Sequence, residues 1–554
     1  MRQRLSVRSA IRNAMRSALL VALLLFPRAA AAALGTPVFE WQRCPPSYCE
    51  TGWYASPAVS DVDRDGVVEV LWGGYTLLSV RGDTGAIEWS YAPQSGAGRI
   101  WPGVAVADLD GNGTREVVVV QNREIAVLDA TGMIQAGWPK PVFGSSEMRT
   151  LAVADLDRDG ALEILVARAG NGSDETWTVL EPSGATRAGW PRLTPLDSGY
   201  AWGAFNQNLA VGDLDGDGDL EVAASSDVHY LAAFDDDGTP LPANPIYGAG
   251  KNWSQVGVHY DHAVDLRGYA NCDAGVPPLE ARPNFADAPP AIGDLDGDGS
   301  NEIVIVGSFY DCRTIGYDQL FQVPIILNAD RTRWAPGGGF DWTALPAPDV
   351  DAAPLSIDYN VIESAEANPV LADLDGDGVK EILYASYDGR VHAFWVTDKT
   401  EHGAWPFVVH GGPSAMRFAS EPVVADLDGD GQAEVVFTTW TAKGSNQGGD
   451  LLIVSAAGVE LSRVALPRSS QNWDGALGAP TLANLDADPN VEVAVGTTNS
   501  GLVVYEIPGS RADRLLWPTG RGNLLRNAPE PGAAATAVTA LCALAAVARR
   551  RSRA

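Results

Sequence analysis

Eight times along this chain, oxygen-bearing side chains, almost all carboxylates, recur at alternate positions of a nine-residue stretch that ends on a glutamate. A clear copy is Asp213, Asp215, Asp217, Gly218 and Glu221. Alternation gathers the oxygens on one side of a tight loop, where like charges repel unless a cation sits among them. A cage of carboxylates plus one backbone carbonyl is what a hard ion such as calcium prefers. Glycine at the sixth place supplies a positive φ with no Cβ penalty, so the loop can double back.

The first loop is Asp61, Asp63, Asp65, Gly66 and Glu69. The second, Asp108, Asp110, Asn112, Gly113 and Glu116, exchanges one carboxylate for an amide oxygen. The third is Asp155, Asp157, Asp159, Gly160 and Glu163, and the fourth is the copy quoted above. The fifth (Asp294, Asp296, Asp298, Gly299, Glu302), sixth (Asp373, Asp375, Asp377, Gly378, Glu381) and seventh (Asp426, Asp428, Asp430, Gly431, Glu434) keep every ligand place. The eighth departs, with Asn484, Asp486, Asp488, Pro489 and Glu492. Proline does not readily take glycine's positive φ, so calcium is expected in seven loops and not counted for the eighth.

What surrounds the loops decides their class. An EF-hand places its bidentate glutamate twelfth and leaves through a helix; here the acid is ninth and opens runs such as EVAAS, EVVVV and EIVIV. These short, β-branched stretches read as strands. Small-residue apolar runs (VAVA, LAVG, PVVA) precede the loops, and a third run such as IAVLD or LLIVS follows the second. A fourth strand is expected to end in a Trp-Pro pair, at Trp138, Trp190, Trp405 and Trp517. Four antiparallel strands per unit make a propeller blade. Spacings between first aspartate or asparagine positions are 47, 47, 58, 81, 79, 53 and 58 residues, room for one blade each.

On these residues the chain resembles the FG-GAP/VCBS repeat family, the calcium-loop propellers that include integrin alpha chains. The pattern D-x-[DN]-x-[DN]-G-x-x-[DE] before an apolar strand is complete seven times between Ser56 and Asn527. The resemblance implies an all-β propeller, eight-bladed here with seven blades as the alternative, and a calcium loop in the first hairpin of each blade. It implies calcium on the first, third, fifth and ninth side chains and the seventh carbonyl. Thrombospondin-type repeats also carry DxDxDG, but they are disulfide-dense, and this chain has five cysteines. The stretch from Thr84 to Trp89 is similar to blades of quinone-dependent dehydrogenases yet lacks their repeated aspartate spacing.

Composition narrows the partners. Asp and Glu number 70 against 39 Lys and Arg, which excludes the basic footprint of a nucleic-acid binder. The loops' ligand places hold 30 of those 70 acids, so the acidity is largely a property of the loops. Residues 1–33 carry arginines, an apolar core from Ala18 to Phe26 and a small-residue run, the pattern of a secretory signal peptide. Export would allow Cys44 to pair with Cys49 and Cys272 with Cys312. Residues 34–55 form an N-terminal segment before the propeller, 56–527. At 528–554, Pro529-Glu530-Pro531, an apolar stretch from Gly532 to Ala548 and terminal arginines resemble the PEP-CTERM sorting signal of Gram-negative bacteria. That arrangement implies a tail held in the membrane before or without processing, with the propeller outside, at the cell surface, outer envelope or matrix.

Insertions at 241–288 and 309–366 bring Trp253, His259, Tyr260, His262, Tyr269, Trp334, Phe340, Trp342 and Tyr359, suited either to packing or to a glycan or protein ligand. His259 and His262 lack a third metal ligand nearby. Asp261, Asp265, Glu280, Asp341, Glu363 and Glu366 could act as acid or base, but no spacing marks a pair. Arg81-Gly82-Asp83 matches an adhesion tripeptide and, followed by Thr84-Gly85, reads as a hairpin turn. The reading is a monomeric calcium-binding adhesion or ligand-binding module, with a polysaccharide-active enzyme such as a lyase, or a structural envelope protein, as alternatives.

Overall fold

The computed structural model describes residues 33–527, apart from 46–47, 94–97, 142–146, 171–174, 201–202, 269–279, 312–315, 446 and 472. Each apolar run before an acid loop is the inner strand of a sheet, and each run after it is the antiparallel neighbour. In all eight hairpins the ninth-place glutamate pairs with the small residue just before the loop, from Ser60 opposite Glu69 to Ala483 opposite Glu492.

The result is an eight-bladed β-propeller of small antiparallel sheets. Blade 1 comprises Ala58–Ser60, Glu69–Gly73, Leu77–Arg81 and Ile87–Tyr91, and blade 2 comprises Val104–Ala107, Glu116–Gln121, Glu124–Leu128 and Lys140–Pro141. Blades 3 (Met148–Ala154, Glu163–Arg168, Trp177–Leu180) and 4 (Leu209–Gly212, Glu221–Ser225, Leu231–Phe234) have three strands each. Blade 5 (Ala291–Gly293, Glu302–Asp311, Phe321–Leu327) is widened by Ala281–Asn284 beside the far half of its long second strand. Blade 6 holds Val370–Ala372, Glu381–Ala385, Arg390–Trp395 and Phe407–Val408; blade 7 holds Val423–Ala425, Glu434–Trp440, Asp450–Ser455 and Glu460–Ala465.

Blade 8 (Thr481–Ala483, Val491–Gly496, Leu502–Ile507) takes its outer strand from the other end of the chain, Val38–Arg43. The segment before Ser56 therefore closes the ring. It is followed by the Cys44–Cys49 disulfide, packed on the Gly501 turn of blade 8. Apart from the far end of Glu302–Asp311, second strands are buried along their whole length because a neighbouring blade covers each face, which is why they read as unbroken apolar runs.

The channel at the centre is filled by the chain's own C-terminal side. Leu515–Trp517 pairs with the inner edge of Val423–Ala425. The following residues cross to other blades: the Leu524, Leu525 and Asn527 carbonyls accept from the N–H groups of Val106, Val153 and Val211. Arg526 Nη2 donates to Ser56 O at 2.7 Å, and Arg521 Nη2 donates to Leu209 O at 2.9 Å. Trp138, Trp190 and Trp405 lie before their fourth-strand segments rather than at the ends, while Trp517 belongs to the channel segment. The leader and the tail from 528 lie outside the described residues, among which no helix is long and apolar enough to cross a membrane.

Candidate metal centres

Each acid loop is held by the same bonds. The ninth-place glutamate accepts the N–H of the second loop residue through Oε2: Val62 to Glu69 at 2.8 Å, Leu109 to Glu116 at 2.9 Å, Leu374 to Glu381 at 2.7 Å, and likewise in the other five. The fifth-place oxygen accepts the seventh N–H, as in Val67 to Asp65 and Ala161 to Asp159, both 2.7 Å. These bonds occupy one oxygen of each of these two side chains and aim the chain inward. The predicted glycine conformation is present in all seven complete loops, with φ between 88° and 106°.

The fourth place is also left-handed in those seven loops, at Arg64, Gly111, Arg158, Gly216, Gly297, Gly376 and Gly429. Sequence reasoning passed over this position, although glycine at five of seven was the available signal. The eighth loop has neither turn, because Ala487 and Pro489 stay at negative φ. There the Asn484 amide donates across the loop to the Asp488 and Asn490 carbonyls, so a side-chain N–H takes the seventh-place carbonyl that an ion would need. Glu492 gathers instead with Glu40 and Glu506.

The oxygens that remain test the fit of a cation. Asp61, Asp63 and Glu69 each offer an oxygen within 4.8 Å of the others; so do Asp108, Asp110 and Glu116, then Asp155, Asp157 and Glu163, then Asp213, Asp215 and Asp217. The second oxygens of Glu69 and Glu221, and one oxygen each of Asp61 and Asp108, are buried without a hydrogen-bond partner. Burial, reinforced by the neighbouring loop carboxylates, pushes Glu69, Glu221, Glu302 and Glu434 up to about 7 and Glu381 up to about 9. Unpaired, desolvated anionic oxygens of this kind call for a hard cation. Four loops also meet a guanidinium: Arg81 lies 3.2 Å from Asp65, Arg187 lies 2.9 Å from Asp157, and Arg514 lies 3.6 Å from both Asp373 and Asp426.

The other singled-out residues have mixed fates. Trp253, Trp334 and Trp342 are fully buried and pack the insertions onto the ring. Tyr359 and Phe340 reach the surface, while Tyr260 packs edge-on against Phe309 and Phe321. His259 and His262 converge on the two oxygens of Asp265. Asp261 caps the helix His262–Arg267, Glu280 pairs with Arg267, and Asp341 holds Thr343. Glu363 and Glu366 lie on the face away from the acid loops, in the stretch leading into blade 6. Arg81-Gly82-Asp83 is turned on itself, with Arg81 bonded to Asp83 at 3.0 Å and the Gly82 N–H on Val68. Tyr269, Cys272 and Cys312 lie outside the described residues.

Sequence reasoning also missed the face opposite the acid loops. Trp53 meets Trp101 and Trp473 edge-on, each at 5.3 Å between ring centroids. The Arg99 guanidinium lies 5.0 Å over Trp53 and 5.1 Å over Trp101, and Arg149 lies 4.1 Å over Trp101. These residues come from connections entering blades 1, 2, 3 and 8. Their only signal was tryptophan recurring just ahead of inner strands.

Comparison with known proteins agrees with the repeat. The FG-GAP-like repeat family matches residues 108–166, 155–224 and 373–437, each span running from one acid loop through the next. The chain thus carries FG-GAP-like repeats in an eight-bladed propeller. No curated protein matches it. Similar solved structures include the V. cholerae biofilm matrix protein Bap1, at 15% identity over 90% of this chain and 96% of that one, with a TM-score of 0.39. Another is the quinohemoprotein alcohol dehydrogenase of Comamonas testosteroni, at 15% identity over 87% and 77%, TM-score 0.48. A third is BamB from Moraxella catarrhalis, at 14% identity over 85% and 99%, TM-score 0.43. At these identities and scores the likenesses carry no inference about ligand or activity.

Proposed function

We propose that this chain is an exported, calcium-dependent propeller that serves as a ligand-binding or adhesion module at a bacterial surface or in its matrix. The division of the two faces carries the reading. Ion cages occupy one face, and indoles with stacked guanidinium groups occupy the other.

Calcium would be held in seven loops by the first, third, fifth and ninth side chains: Asp61, Asp63, Asp65 and Glu69 in the first loop, and their counterparts through Glu434. When bound, the ion supplies charge neutralisation and no reaction chemistry. The protein's part is to aim the oxygens and to tie each loop to its blade through the ninth-place glutamate. A rigid ring then presents connections from several blades together, the usual arrangement for recognition on a scaffold. Trp101 and Trp473 are buried and Trp53 is half-buried, so the cluster fixes these connections in place for the loops around it. The Cys44–Cys49 disulfide suits an oxidising compartment, as the leader does.

A glycan array probed with calcium and again in chelator, with a reducing-end assay on each hit, tests the reading. Calcium-dependent binding without new reducing ends supports it. Product release would make the protein a polysaccharide-active enzyme, and silence would leave a structural envelope role.

A further inference from the structure

A cavity of about 290 Å³ opens where blade 4 meets blade 5, on the face away from the acid loops. Four stretches build its wall: His229 and Tyr230 from the second hairpin of blade 4, Val256 and His259 from the insertion, Asp265 from the helix His262–Arg267, and Arg282 from the added edge strand of blade 5. None of these belongs to an ion loop or to the indole cluster.

His259 is a buried polar group of the wall, only 4% exposed. Its Nδ1 lies 3.0 Å from Asp265 Oδ1, and the other oxygen of Asp265 is taken by Arg333 at 2.8 Å and His262 at 3.3 Å. A salt-bridged carboxylate accepts, so Nδ1 of His259 donates to Asp265 and Nε2 is the ring nitrogen left for a ligand. Nε2 is buried and has no partner. A buried polar atom left unsatisfied in this way costs stability unless a partner meets it.

Arg282 supplies the opposite character. Its Nε donates to the Tyr310 hydroxyl at 2.9 Å, which fixes the guanidinium while leaving its terminal nitrogens without a bond among the described residues. His229 and Tyr230 lie side by side, 4.3 Å between ring centroids and tilted by 40°. Burial, with His259 and Arg282 nearby, pushes His229 down to about 3, so it is an uncharged aromatic surface at neutral pH. A metal ion is disfavoured here, because both oxygens of Asp265 are engaged and Arg282 would repel it.

We infer that this cavity binds a small polyhydroxylated carboxylic acid of the sugar-acid type, its carboxylate on Arg282, one hydroxyl hydrogen-bonded to His259 Nε2, and its carbon face against His229 and Tyr230. The volume suits one ring rather than a chain, being at the small end of ligand pockets. The inference goes beyond the adhesion reading and does not depend on it, since the indole cluster is built by other blades.

Sodium D-glucuronate titrated into the calcium-loaded protein by calorimetry, with D-glucose and cyclohexanecarboxylate as matched probes, is the test. Glucuronate should bind saturably, and each probe missing one recognition element should bind at least about tenfold more weakly. Arg282→Gln, at a half-buried position, should bring glucuronate down to the affinity of glucose. His259→Gln should weaken both hydroxylated probes, with melting curves confirming that each variant is folded. Absence of saturation by glucuronate, equal binding of cyclohexanecarboxylate, or a folded Arg282→Gln with unchanged affinity would overturn the inference.

Discussion

Stripping calcium should lower the melting temperature in proportion to the number of loops able to hold it. A site that binds only the native state, at a hundred times its dissociation constant, adds about 2.7 kcal/mol, so seven such sites add about 19 kcal/mol. With an unfolding entropy of about 2.1 cal/mol/K per residue over roughly 500 residues, 1 kcal/mol moves the midpoint by about 1 °C. The loaded protein should therefore melt about 18 °C above the stripped one. Glu381→Gln isolates one site: the amide oxygen can still accept the Leu374 N–H, but one anionic ligand is gone. In calcium this variant should melt about 2 to 3 °C lower. In chelator it should melt at least as high as the parent, because burial that holds Glu381 protonated up to about 9 penalises folding of the acid and not of the amide. Glu492→Gln, in the loop that Asn484 already bridges, should show no calcium-dependent difference. Scanning calorimetry in saturating calcium and in excess chelator, with metal content measured on the same samples, decides this. A metal-free sample that melts with the loaded one, or equal calcium responses at Glu381 and Glu492, would refute the reasoning.

Three further outcomes are expected. Trp517→Ala removes a fully buried side chain from the channel, together with its 3.1 Å bond to Glu421, and should cost about 3 to 5 kcal/mol in urea unfolding at fixed calcium; a loss below about 1 kcal/mol would mean that this segment does not fold with the ring. His392 lies between Asp388 at 3.1 Å and Glu401 at 3.2 Å; burial opposes its charge, but the two carboxylates outweigh that and raise it to about 9. Its folded value exceeds the unfolded one, so its stabilisation is complete below about pH 6.5 and is lost as pH rises through 9. The parent should lose on the order of 3 kcal/mol over that window, and His392→Gln should lack that slope when the two are compared in calcium. Cys49→Ser opens a short loop beside the closing strand and should lower stability by about 2 kcal/mol, an effect that reductant reproduces in the parent and not in the variant.

The blades were legible because their signals are local. A small residue, an alternating acid loop and a β-branched run together define inner strand, hairpin and second strand, and the observed register of glutamate opposite that small residue follows from them. The sixth-place glycine was readable for the same reason. The fourth-place turn was partly hidden, since two of its seven examples are Arg64 and Arg158, which adopt positive φ without glycine. Closure was not legible. Val38–Arg43 and Leu515–Trp517 carry no repeat motif, and their partners, Leu502–Glu506 and Val424–Ala425, lie far along the chain, where no periodicity links them. The histidines were noticed at His259 and His262, but the site depends on His229 and Arg282, which come near only when two blades pack.

One atom pattern explains why ion sites and ring closure belong together. The second loop residue gives its N–H to the ninth-place glutamate of its own loop, while its carbonyl can accept from the eighth residue of the next loop. Leu220 reaches Leu156 O at 2.7 Å, Lys380 reaches Leu295 O at 2.9 Å, and Ala433 reaches Leu374 O at 2.8 Å. The side chains add to this, with Asn301 on Asp213 O at 2.8 Å and Lys380 on Asp294 O at 2.7 Å. The residue that the glutamate fixes is thus the one on which the next blade docks. An ion that orders one loop lowers the entropy still to be lost when its neighbour packs, which couples sites without any further movement. Two strands that the repeat does not supply complete the ring, on the outer side of blade 8 and the inner side of blade 7. Both come from the flanks of the repeat array, Val38–Arg43 and Leu515–Trp517. Unpaired edges invite pairing with other chains, and these two are paired from within the chain.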